Sequence, residues 1–241
     1  MIILLKKSNL FVLALAIALS AVTWRMVSTN EAIPAAAVLV SSKVIVLDAG
    51  HGSPDGGAVG NSGTLEKDLN LAITQRVQKL LEKTGAAVLL TRADDNAIAD
   101  DMDAKIREIK RSDLKNRKSY RDTAGADIFV SIHMNKFEQQ QYHGAQVFYA
   151  GPEQARLLGE TLQNELVSVA DPENTRVAKP ADPSIYILKD SKIPAVIVEC
   201  GFLSNPAEEA KLQTEEYQEK LAWAIYSGIL KYFDQAGIQG G

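Results

Sequence analysis

A chain of 241 residues, 46% hydrophobic and 23% charged, has the make-up of a globular protein with room for one self-sufficient core. Its formal net charge of -4, with no strongly basic block, argues against a nucleic-acid surface, which depends on Lys and Arg at phosphates. The one cysteine, Cys200, excludes an internal disulfide and a cysteine-built zinc cluster.

Lys6 and Lys7 precede "SNLFVLALAIALSAVTW", an uncharged apolar run over 8–24 that Arg25 closes. A basic flank before an apolar segment at a chain start reads as a secretory signal or a membrane anchor. The run is at the short end of the roughly 17–25 residues a span needs. A candidate cleavage point, "AAA" at 35–37, lies far downstream. In either case the lysines favour an inside start that exports the remainder. Residues 1–29 are therefore expected to be a signal peptide or anchor, 30–42 a Pro/Ala/Ser linker, and 43–235 the folded domain.

The domain opens on "VIVLDAGHGSPDGGAVG" (44–60), an apolar β-branched run that turns into glycines around His51. Residues 43–48 read as a buried strand. A helix is expected over 66–84, where Leu69, Ile73, Val77, Leu80 and Leu81 recur at helical spacing and Gly85 supplies a stop. "AAVLLT" (86–91) predicts a second buried strand. The polar stretch 93–113 predicts a solvated loop and surface helix, since its aspartates lack the spacing and glycine of a calcium loop. A helix over 114–124 leads to strands at "DIFVSIH" (127–133) and "GAQVFYA" (144–150). A helix follows near 152–169, then a short strand "IYIL" (185–188), a buried strand "AVIVEC" (195–200) and a terminal helix over 215–233. Strands alternating with helices predict a single α/β domain: a twisted, mostly parallel (mixed) sheet with helices on both faces.

In such sheets ligands gather at the carboxyl ends of the strands. His51 follows the first strand, His133 ends "FVSIH", Glu199 ends "AVIVE", and Glu66 begins the helix after the glycine loop. Two histidines and a carboxylate are a common ligand set for catalytic zinc, and a second carboxylate could move protons. The plain readings stay open at this point: a loop histidine is often a surface group, and a glutamate at a helix start often answers the helix dipole. Glu199 is harder to set aside, because a carboxylate after four apolar strand residues is costly unless paired or functional. A nucleotide loop fails, since no Gly-Lys-Ser/Thr ending and no G-x-G-x-x-G frame is present. No G-x-S-x-G and no H-E-x-x-H occurs either.

Taken in order, "LDAGHGSPDGGAVG", "GTLEKDL", "LLTRADD", "LKNRKSYRDTAGADIFVSIHMN", "GAQVFY" and "AVIVECGFLSNPAEEAKL" resemble the zinc-dependent N-acetylmuramoyl-L-alanine amidases. The likeness runs over roughly 43–233. It implies a peptidoglycan hydrolase that cuts the amide between the lactyl group of N-acetylmuramic acid and the L-alanine of the stem peptide. It places the ligands of one Zn2+ ion on His51, Glu66 and His133, and the general base and acid on Glu199. Within the family, the short length and N-terminal segment look most like the germination-specific members that act on spore cortex toward muramic-δ-lactam. Departures are Ala49 for a usual Pro, Ser53 for Gly, Asp122 for Asn and Cys200 for Thr; none removes a ligand. The interval 135–195 is too short for the blocking helical insertion of some division-associated members.

Asn135, Arg92 and Arg117 are candidates for substrate contact, with salt bridges inside the fold as the competing role for the two arginines. His143 reads as a surface residue. The implied partners are glycan strands and stem peptides, with no nucleic acid, a membrane if the N-terminal segment is retained, and a protein activator left open. The implied location is extracytoplasmic, and for a spore enzyme the space between the forespore membranes. Two other readings stand beside this one: a zinc carboxypeptidase acting within the stem peptide, and a non-catalytic wall-binding module.

Overall fold

A computed structural model describes residues 40–239. The apolar run at 8–24, the 1–29 segment and the linker up to residue 39 lie outside the described residues. Among the described residues no helix is long and apolar enough to cross a membrane.

The run Val44-Ile45-Val46-Leu47 forms β1 (Val44–Ala49), buried beyond its first residue. Its side chains alternate between two clusters. Ile45 and Leu47 enter the larger one; Val46 enters a smaller one on the opposite face. The chain continues through α1 (Glu66–Glu82), β2 (Ala87–Leu90), α2 (Ile106–Thr123), β3 (Ile128–Asn135) and β4 (Gln146–Ala150). Then come α3 (Gln154–Glu165), which runs on into a π-helical turn at Leu166–Ala170, a two-residue β5 (Lys179–Pro180), β6 (Ala195–Phe202), α4 (Pro206–Leu212) and α5 (Glu215–Gln239).

The six strands form one sheet in the order β2-β1-β3-β6-β4-β5. All pairs are parallel except β4 against β6. Leu69, Ile73, Val77 and Leu81 of α1 pack with Leu158 and Leu162 of α3 and Leu221, Ile225 and Ile229 of α5 on one face. Tyr120 and Ala124, at the end of α2, cover the other face together with Ile187 and Leu188. The sheet is mixed and covered on both sides, as expected. From β1 the chain moves outward to β2, and from β3 it moves the opposite way, first to β4 and β5 and then back to β6 beside β3. The carboxyl ends of β1 and β3 therefore border the point where strand order reverses, the usual crevice of such sheets.

Some elements differ from expectation. "IYIL" is a turn, not a strand: Leu188 N–H donates to the Ile185 carbonyl, and Arg121 donates to the Ile187 carbonyl, so the backbone is satisfied without a strand partner. β2 is a half-buried edge strand instead of a fully buried one. α2 starts well before residue 114. Its inward stripe is Ile109, Asp113, Arg117 and Arg121, three of them charged, so apolar periodicity cannot mark its beginning. α4 was not anticipated, although Asn205 caps it by accepting from Ala207 and Glu208 N–H, and Pro206 stands in the first turn.

Candidate metal and catalytic site

The path of the chain after β1 is set by a buried ionic knot. Asp48 is fully buried and accepts from Thr91 (2.6 Å), Ser131 (2.5 Å) and Arg117 (2.6 Å). Burial pushes its carboxyl up, but the charges of Arg117 and His133 and the two hydroxyls outweigh that and hold it below the usual range. Arg117 also donates to Asp113 and to the carbonyls of Ala49 and His51. Arg92 donates to the carbonyls of Ala49, Gly50, Lys67 and Asp94. Two guanidinium groups thus pull the exit of β1 into place.

His51 emerges from this bend at φ 61°, a left-handed conformation that a non-glycine residue adopts only where its surroundings impose it. Its Nδ1 lies 2.9 Å from Asp55 Oδ2. Asp55 is itself fixed by the Gly57 N–H (3.1 Å) and Lys110 (2.8 Å). The imidazole is thereby oriented with Nε2 turned toward Glu66, 3.2 Å from Oε2. Burial lowers the His51 pKa, but hydrogen bonds and charges from Asp55 and Glu66 prevail and raise it to about 9.

Glu66, buried at the first position of α1, divides its carboxylate between the two histidines. Oε1 lies 2.9 Å from His133 Nδ1 and accepts the Met134 N–H at 3.0 Å; Oε2 accepts the Ala58 N–H at 2.7 Å. Burial disfavours its charge, yet His133 and His51 hold the pKa far below the ordinary carboxylate range. The rings of His51 and His133 meet edge to face, 5.0 Å between centroids. One ligand atom from each of His51, Glu66 and His133 lies within 4.8 Å of the other two. Two nearby glycines make the close approach feasible. A Cβ on Gly50 would fall 2.2 Å from the His133 ring, and one on Gly57, at φ +70°, would strike Glu66 and His51.

β6 runs beside β3 so that Glu199 pairs with His133. Neither residue ends its strand: β3 continues to Asn135 and β6 to Phe202, across an irregularity in register. Glu199 Oε2 is buried and has no hydrogen-bond partner among the described residues. Burial, with opposing contributions from His133 and His51 and a reinforcing one from Glu66, pushes the Glu199 carboxyl up to about 7. A carboxyl group there can take and return a proton near neutral pH. The donor set of two imidazoles and a carboxylate, the glycine-made space and the orphaned Glu199 oxygen all fit a catalytic zinc ion.

The structure thus brings His51, Glu66, His133 and Glu199 to one place. Asn135 is half-buried two residues beyond His133; its carbonyl accepts the Leu203 N–H, and its side-chain amide is unbonded among the described residues. Arg92 and Arg117 correct the expectation of substrate contact. They are 3% and 1% exposed and spend their donors on the β1 exit, so neither guanidinium is open to a peptide carboxylate. His143 is exposed. Asp55 was missed as a partner of His51, although it stands four residues later in the same glycine stretch.

A family model described as N-acetylmuramoyl-L-alanine amidase matches residues 45–231. The chain belongs to that family. It is a peptidoglycan amidase by membership. The germination-specific N-acetylmuramoyl-L-alanine amidase of Bacillus subtilis is 37% identical over 211 residues, 87% of this chain and 88% of the relative. Among solved structures, the CwlD amidase from Clostridioides difficile, in complex with the GerS lipoprotein, is 47% identical with a TM-score of 0.77, over 80% of this chain and all of that one. An N-acetylmuramoyl-L-alanine amidase from Clostridium difficile is 30% identical, with a TM-score of 0.70 over 80% of this chain and 98% of the other. The family match spans all six strands except Val44, the first residue of β1.

Proposed function

We propose that this amidase binds one zinc ion through His51, Glu66 and His133 and uses Glu199 to hydrolyse the bond between the muramic lactyl group and L-alanine. The observation that carries the reading is the buried, unpartnered Glu199 oxygen beside the His–Glu–His cluster. When bound, zinc would supply Lewis acidity toward water and carbonyl oxygen. Glu199 takes a proton from the attacking water and delivers it to the departing alanine nitrogen, a role open to a buried carboxyl group that no other side chain engages. Asp55 fixes the His51 ring so that its Nε2 faces the cluster, and Glu66 is held by the Ala58 and Met134 amides. Asn135, two residues past His133 on β3, is placed to meet the substrate.

The likeness to a germination-specific relative supports a role on spore cortex, toward muramic-δ-lactam, in an extracytoplasmic compartment. The lipoprotein bound to the Clostridioides difficile relative supports a protein partner for this chain as well. The test is digestion of purified peptidoglycan by metal-loaded and metal-stripped protein, with products identified by mass spectrometry. The expected product is free stem peptide beginning with L-alanine, formed only by the loaded protein. Cuts within the stem peptide would assign a carboxypeptidase instead, and equal digestion by stripped protein would remove the metal from the reaction.

A further inference from the structure

The proposed catalytic carboxylate belongs to a row that extends away from the metal cluster. His133 on β3 pairs with Glu199 on β6, and Glu199 pairs with Gln146 on β4. Neighbouring strands lie about 4.8 Å apart, and residues directly opposite share a face. Gln146 is buried, donates to the Val177 carbonyl at 3.0 Å and accepts from Arg176 Nη1 at 2.9 Å. Arg176 Nε donates to the His143 carbonyl at 2.6 Å, and its guanidinium lies 4.5 Å from the centroid of the Phe202 ring. Gln146, the His143 carbonyl and Phe202 therefore fix the plane of this half-buried cation.

Its partners are all neutral. Among the described residues Arg176 has no ion pair and Nη2 has no hydrogen bond, and the side chain borders a polar cavity of about 200 Å3 with Tyr142 and Asn174. A guanidinium stays charged at any working pH and presents a planar fork that suits a carboxylate. Two of its nitrogens are held by neutral acceptors, which leaves Nη2 and the full positive charge for an anionic ligand.

We propose that Arg176 is a specificity-determining residue that binds a carboxylate of the stem peptide, with the peptide side of the scissile amide lying toward β4. This rests on the amidase reading above. The experiment compares wild type with Arg176→Gln and Arg176→Lys on muramoyl peptides in which each stem carboxylate is converted in turn to the carboxamide. In wild type, one of these conversions is expected to lower kcat/KM about 10-fold or more, mainly through KM, as for loss of a hydrogen bond to a charged group. Arg176→Gln is expected to cleave the acid and the amide at the same reduced rate, with Arg176→Lys in between.

Retained discrimination in Arg176→Gln, an absence of discrimination in wild type, or an equal loss on every substrate would overturn the proposal. Calorimetric binding of free stem peptide to Glu199→Gln, with and without Arg176→Gln, gives a readout independent of turnover; the second substitution is expected to weaken binding about 10-fold. If wild type frees no peptide beginning with L-alanine while this binding difference persists, the amidase reading fails and the carboxylate site stands.

Discussion

Glu66 shows how much a single position can be asked to do. Each carboxylate oxygen faces one histidine and also accepts one backbone amide, so the residue is oriented before any ligand arrives. Glu199 is the opposite case, with a buried oxygen that nothing in the described protein satisfies. Glu199→Gln is expected to keep its metal by elemental analysis while losing about 10²–10⁴-fold in peptidoglycan hydrolysis, the usual contribution of a general acid–base group. Normal hydrolysis by that variant would reassign the base. His133→Ala is expected to lose both metal and activity, and unchanged metal content would count against it. These four residues stood out in the sequence because each is a polar group next to an apolar strand or a helix start. Asp55, Gln146 and Arg176 did not, since a loop Asp, a strand Gln and a loop Arg are ordinary until tertiary structure shows what they touch.

Among the elements, α2 is the one whose logic the sequence hid. Three of its four inward residues are charged: Arg117 answers buried charges, meeting Asp48 at 2.6 Å and Asp113 at 2.7 Å, while Arg121 donates to the Ile187 and Lys189 carbonyls. Breaking such a pair from one side leaves an uncompensated charge. Arg117→Met is expected to cost about 3–5 kcal/mol in urea unfolding. Asp48→Asn tests the same knot through pH. The folded pKa of Asp48 is depressed, so its contribution is present above the unfolded value of about 3.8 and is lost as pH falls through the lower folded value. The stability gap between wild type and Asp48→Asn is therefore expected to be full at pH 6 and to narrow only below about pH 4; a gap independent of pH down to acid unfolding would contradict it. β1 and β6 were legible as apolar runs, and β3 as one broken by Ser131. "IYIL" was misread for the same reason, because a short apolar run can bury residues in a turn as well as in a strand: Ile187 and Leu188 are buried against the sheet while Tyr186 is exposed. The signal for α4 was present in Asn205-Pro206 followed by Glu208 and Glu209, and it marks a helix only when read as a cap.

At the scale of the whole molecule, the sheet order places the carboxyl ends of β1, β3 and β6 side by side, and the proposed ligands come from β1's exit, α1 and β3. A metal bound only by the native arrangement stabilises it by mass action, by about 2.7 kcal/mol at a free concentration 100 times Kd. For a domain of this size that corresponds to a rise in Tm of roughly 5–10 °C on adding zinc to stripped protein. Calorimetry is expected to show this rise in wild type and in Glu199→Gln and to lose it in His133→Ala. The parallel pairings that bring His51 and Glu199 together join segments far apart in the chain, and folds built on contacts of that kind form slowly. A chain cut before residue 199 lacks the proposed base, and one cut before residue 133 lacks the second histidine as well. In a fold built this way the proposed cutting edge is complete only when β6, the last strand in the chain, has docked beside β3.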